Sequence, residues 1–244
     1  MKREPLLTDD YFKTSITYYE DKVQQKKTLI ENGAEEVKRW DLVYAFLFDA
    51  QLHNAFNKYS AGVPVSEIEP LIKDLAKNFI TSIKHPTAKN SIMKDSFFVY
   101  WECLSILSLS IIIKSPRDII QELASAIDLL GKDMLIDKIL SYILPERKIH
   151  NKLVWPKEYE KLNSVFDTGS ETRSEIMKEY LKGWYKSMRK CSWYGSHKDP
   201  DTLAFFGYWS LETAAITFLL KIDDSLFRDM LYYPKDFVEF ARQK

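Results

Sequence analysis

The chain has 244 residues, 45% hydrophobic and 29% charged, which excludes a disordered or fibrous chain and is long enough for a sizeable core. Only 7 Gly and 9 Pro argue against a turn-rich sandwich or barrel. The 35 Lys and Arg balance the 35 Asp and Glu, so no whole-chain field selects nucleic acid or an anionic membrane.

Helical periodicity runs through the sequence. Asp9-Asp10 opens a helix with Phe12, Ile16, Tyr19, Val23 and Ile30 on one face, and Asn32-Gly33 stops it. A second helix is expected over about 34–61, ended by Gly62, and Ser66 is expected to cap a third carrying Ile68, Ile72, Leu75, Phe79 and Ile83 until His85-Pro86. Phe97 to Ile113 is the most apolar stretch. Glu102 and its serines interrupt it and its length is at the short limit for a bilayer, so it reads as a buried central helix and not a membrane span.

Ser115-Pro116 opens a fifth helix by the cap-then-proline rule. Gly131 separates it from a sixth over about 132–144, and Glu146 to Pro156 reads as a surface connection. A short helix is expected over about 157–167, and Ser170-Glu171-Thr172-Arg173 begins an eighth carrying Ile176, Tyr180, Leu181, Trp184 and Met188 on one side. An apolar ninth is expected over about 202–221, and a helix opened by Pro234 closes the chain. The expectation is an all-α fold of about ten helices in antiparallel pairs, forming two packed helical subdomains. No fixed repeat period is present.

Chemistry-bearing motifs are scarce. The seven glycines are scattered singly and make no phosphate loop, and His53, His85, His150 and His197 form no metal-binding pair. Cys191 with His197 is a close couple, but two ligands fall short of a zinc site and a catalytic thiol needs a matching base. Cys103 and Cys191 are too far apart in sequence to suggest a disulfide framework, and no apolar run follows the charged start, so a cytoplasmic protein is expected. Glu102 and Glu212 stand out because each lies in an apolar helical stretch, where a carboxylate must find partners or shift its pKa. An internal ion pair or a hydrogen bond to Tyr or Trp is the plainer reading for both. A helical metal-dependent hydrolase built on them is one alternative function, and a helical scaffold or adaptor is another.

Charge is uneven within the zero total. From Ser170 to Lys198 seven cations oppose three carboxylates, whereas from Asp199 to Glu239 eight carboxylates oppose three cations. The acidic section suits a basic, nucleic-acid-binding protein partner.

The run from Phe206 carries Gly207-Tyr208-Trp209, Glu212, Ala214-Ala215, Asp223-Asp224-Ser225, Arg228-Asp229, Tyr232-Tyr233-Pro234 and Asp236. Together these resemble the C-terminal signature of PoNi proteins, the immunity proteins of polymorphic nuclease effector (PoNe) toxins. Trp184-Tyr185 and Trp193-Tyr194 before His197 resemble the same domain's aromatic segment, and Tyr59-Ser60-Ala61-Gly62 with Pro64 and Ile68 is similar to a helix-end motif of the family's first domain. Leu211 departs from the pattern, which has an aromatic there. The resemblance covers about 7–125 and 130–240, expected as the N-terminal and C-terminal helical domains. It implies a cytoplasmic, non-enzymatic protein with no catalytic residue, metal or cofactor and no binding to nucleic acid or membrane. Such a protein neutralises a cognate DNase toxin delivered by a contact-dependent or type VI secretion route. Asp223, Asp224, Asp229 and Asp236 are the candidate toxin contacts. Gly207, Tyr208, Trp209, Glu212, Arg228, Tyr233 and Pro234 are expected to hold the shared fold, with Gly207 allowing close helix approach and Arg228 pairing with Asp229, Glu212 or Asp236.

Overall fold

Ten α-helices joined by turns and short 3-10 segments, with no β-strand among the described residues, make up the computed structural model, which describes residues 2–88 and 95–244. Contacts divide them into two compact units: α1–α3 with residues 195–207, and α4–α10.

In the first unit α1 (Asp9–Asn32), α2 (Trp40–Ala61) and α3 (Val65–Lys84) pack side by side. Thr8 accepts from the Tyr11 N–H at the start of α1, and Gly33 ends the helix in the left-handed conformation at φ 58°. The Tyr19–His53 and Lys26–Phe46 contacts pair rising positions on α1 with falling positions on α2, and Phe48–Phe79 with Gln51–Asn78 does the same for α2 and α3. Both pairs are therefore antiparallel. Two boundaries differ from the sequence expectation. α2 starts at Trp40, where Thr87 Oγ1 accepts from the Asp41 N–H and Arg39 chelates the Asp41 carboxylate, fixing the first turn from 46 residues away. α3 is entered from Pro64, and Ser66 lies inside its first turn.

Residues 203–210 form the largest departure, because the expected ninth helix over 202–221 is helical only from Leu211. Phe205 and Phe206 are buried, and the backbone carbonyls find side-chain donors: Tyr19 OH reaches Leu203 O, Tyr11 OH reaches Phe205 O and Ser60 Oγ reaches Phe206 O, at 3.2, 2.7 and 2.6 Å. Those bonds replace a helical ladder. Gly207 stands at φ 96° in this extended segment, so the expected role in helix approach is corrected to a left-handed backbone turn.

The second unit is built around α4 (Phe97–Ile112), which contacts α5 (Arg117–Leu130), α9 (Leu211–Leu219) and α10 (Lys235–Gln243). Thirteen of its sixteen residues are buried, and Ser108 satisfies its hydroxyl on Leu104 O at 2.7 Å, so the apolar stretch is a core helix. No helix among the described residues is long and apolar enough to cross a membrane. α6 (Met134–Ser141) is shorter than expected, because Asp133 caps it and also takes the Tyr100 hydroxyl and the Val154 N–H. Asp137, fully buried, holds Arg147 and His150, and Arg147 reaches on to Asp128. The connection after α6 is thus tied down from inside by two aspartates. α7 (Pro156–Ser164) packs on α8 (Ser170–Ser187).

Candidate functional site

In the second unit, the motif residues from 208 onward sort into an interior frame and an exposed edge. Glu212, on the first turn of α9, is 1% exposed. Its Oε1 accepts from Trp184 Nε1 at 2.6 Å, Ser210 Oγ at 2.8 Å and Tyr180 OH at 2.9 Å. Burial pushes the Glu212 carboxyl above the usual carboxylate range, against the pull of these hydrogen bonds. Enclosed by three donors, Glu212 braces α8 against α9. Tyr208 is buried with its ring 4.7 Å from Tyr185 and 5.4 Å from Trp193, and Trp184 stacks on Trp193 at 5.9 Å. Trp209 is buried as well.

Asp224 corrects an expectation of exposure, being 5% exposed. Its carboxylate accepts from Arg228 and Arg242, both at 3.1 Å, and from Tyr233 OH at 3.0 Å, while Arg242 also bonds Ile222 O. Arg228 pairs with Asp224 and Glu239, not with the expected Asp229, Glu212 or Asp236. The reason is the turn at 225–229, which folds Arg228 back onto Asp224 four residues earlier, and α10 brings Glu239 alongside. The Tyr233 ring stands against Phe227 at 4.9 Å, and buried Pro234 precedes α10. One inward carboxylate thus ties the loop 220–234 to the C-terminal helix.

The same loop also presents several side chains outward. Asp223 is exposed and accepts from Ser225 N–H and Oγ–H, which hold its carboxyl below the usual range. Asp229 is exposed and pairs with Lys235 at 2.6 Å. Leu226 and Leu231 stand 46% and 48% exposed between and beside these acids. Asp236 is half-buried and engaged. The charge pattern pointed to this loop, but Leu226 and Leu231 were missed, since exposed leucines have no signature in a mostly apolar stretch.

Other chemically suggestive residues resolve into packing. Cys103 and Cys191 are buried free thiols, with burial raising the pKa of each, the opposite of nucleophile activation. His53 is packed between the rings of Tyr19 and Phe206, and burial lowers its pKa. No group of three or more His, Cys, Asp or Glu able to hold a metal ion exists among the described residues.

The helical architecture is shared with protein PA2201 from Pseudomonas aeruginosa, whose crystal structure is similar with a TM-score of 0.79 at 14% identity, covering 100% of this chain and 92% of that one. That likeness defines the class, an all-α protein. A comparison with curated proteins returned no match. The family follows from two models: PoNe immunity protein (PoNi), N-terminal, matches residues 3–125, and PoNe immunity proteins (PoNi), C-terminal, matches 131–237. The chain belongs to the PoNi family of immunity proteins to PoNe nuclease toxins.

Proposed function

We propose that the protein acts in the cytoplasm by binding a cognate DNase toxin, delivered by a contact-dependent or type VI route, and blocking its attack on DNA. The carrying observation is that both halves of the chain match models of one immunity family. Direct capture, not enzymatic inactivation, suits an interior whose carboxylates Glu212 and Asp224 are committed to internal donors. In this reading residues 7–125 and 130–240 are the two inherited domains, and the edge formed by Asp223, Asp229 and Asp236 with Leu226 and Leu231 meets the basic DNA-binding face of the toxin. Exposed leucines supply apolar contact, and the acids supply steering and charge complementarity.

The test is co-expression with a cognate PoNe-type nuclease, scored by survival and by co-purification. Rescue with a stable complex is the expected result. Survival without any complex would sink binding as the mechanism.

A further inference from the structure

A second surface of the C-terminal unit has the opposite charge. Lys157 and Glu158 of α7, together with Gly183, Lys186 and Ser187 of α8 and the following Arg189 and Lys190, line a groove of about 260 Å³. Lys190 is already placed: it pairs with the nearly buried Glu158 at 2.7 Å and lies 4.5 Å over the Trp155 ring. The side chains of Lys157, Lys186 and Arg189 have no hydrogen bond or ion pair among the described residues. Cations in the last turn of α8 complement its dipole, but that does not account for Lys157, which belongs to another helix.

Gly183 is the independent observation. It sits inside α8, one turn before the helix ends at Ser187, where glycine is still a poor helix former, and a Cβ built there meets nothing within 4 Å. Packing inside this chain therefore does not demand a glycine. What its absent side chain does is leave the groove floor open between unpaired cations.

We propose that this groove receives a carboxylate side chain from an acidic segment of the protein partner; the occupant's identity as a segment of the toxin rests on the immunity reading above. The groove is sized for one or two side chains. Glu158, Glu160, Glu175 and Glu179 are interspersed with the lysines of α7 and α8, a pattern that opposes a continuous phosphate backbone. Paired with the acidic edge at 223–231, a basic groove makes the unit bipolar, so a partner must match both signs, and one that offers a cation to the groove is rejected.

The experiment uses the full chain, its Lys186→Glu/Arg189→Glu variant and its Gly183→Leu variant. Each is checked for helicity and then titrated with a cognate PoNe-type nuclease, a short oligoglutamate peptide and a short DNA duplex. Because all three positions are surface ones and Gly183 faces open space, the variants are expected to fold. The expected result is wild-type capture of the nuclease, with both variants about tenfold weaker or more, a shallower salt dependence for the charge reversal, and oligoglutamate preferred to the duplex. Equal nuclease affinity in wild type and variants overturns the groove while leaving the immunity reading intact. Duplex binding that exceeds oligoglutamate binding and is lost in the charge reversal overturns it in favour of nucleic acid. A wild-type chain that captures no nuclease removes the immunity reading, and the proposed occupant falls with it.

Discussion

Truncating Glu212 should unfold the C-terminal unit far more readily than neutralising it. The Glu212→Ala variant removes the acceptor of three buried donors, those of Tyr180, Trp184 and Ser210. At about 1 kcal/mol for each buried donor left unsatisfied, the loss is about 3 kcal/mol, and the space vacated in a packed core adds about 1 kcal/mol. A total of about 4 kcal/mol is a large share of the stability of an ordinary domain. Glu212→Gln keeps a carbonyl oxygen in place and removes a carboxylate whose burial disfavours its charge, so its cost should be under about 1 kcal/mol. The folded-state pKa of Glu212 is raised, so its contribution is fully present below the ordinary carboxylate range and is lost as pH rises through the folded value. The balance between Gln and wild type should therefore move toward Gln as pH rises above the ordinary carboxylate range. Urea unfolding followed by tryptophan fluorescence and far-UV circular dichroism measures both effects, with coincident transitions as the check on two-state behaviour. An alanine variant within about 1 kcal/mol of wild type, or a glutamine variant as damaging as alanine, would refute the assignment of Glu212 as a buried acceptor hub.

Three further outcomes are expected. Gly207→Ala forces a Cβ onto backbone at φ 96° and should cost about 1–2 kcal/mol, read as a thermal midpoint about 2–8 °C lower; an unchanged midpoint would contradict the left-handed turn. Asp41 is held at about 2, chiefly by Arg39 with help from Thr87, so its stabilisation is present above the ordinary 3.8 and is lost as pH falls toward about 2. Acid unfolding of Asp41→Asn should lack that component, and identical acid limbs in variant and wild type would count against it. Asp224→Ala should destabilise by about 3–5 kcal/mol through the stranded Arg228, Arg242 and Tyr233, whereas Asp229→Ala should stay within about 0.5 kcal/mol yet weaken toxin capture. Chemical denaturation and a pull-down on the same two variants separate these roles.

Much of the helical frame was legible because its signals are local. The acidic start and Asn32-Gly33 stop of α1, and the unbroken apolar face of Phe97–Ile112, need no distant partner to be read. The misread segments are those fixed by distant side chains. Thr87 sets the start of α2, and Tyr11, Tyr19 and Ser60 hold 203–206 extended despite a composition suited to a helix. The same limit divided Asp223 from Asp224: neighbours in sequence, they point to opposite sides of one loop, and only the arginines at 228 and 242 reveal which is internal. The residues of the family resemblance were legible as a set, while their individual roles required the geometry. The groove floor at Gly183 left no mark in the sequence beyond a glycine inside a helix.

The most direct test of the central claim is a titration of a cognate PoNe-type nuclease with purified protein, following DNA cleavage. Binding by direct capture predicts that cleavage falls linearly and stops at a fixed molar ratio, with the complex recovered intact by gel filtration. Undiminished cleavage at excess protein, with the two chains eluting separately, would contradict it.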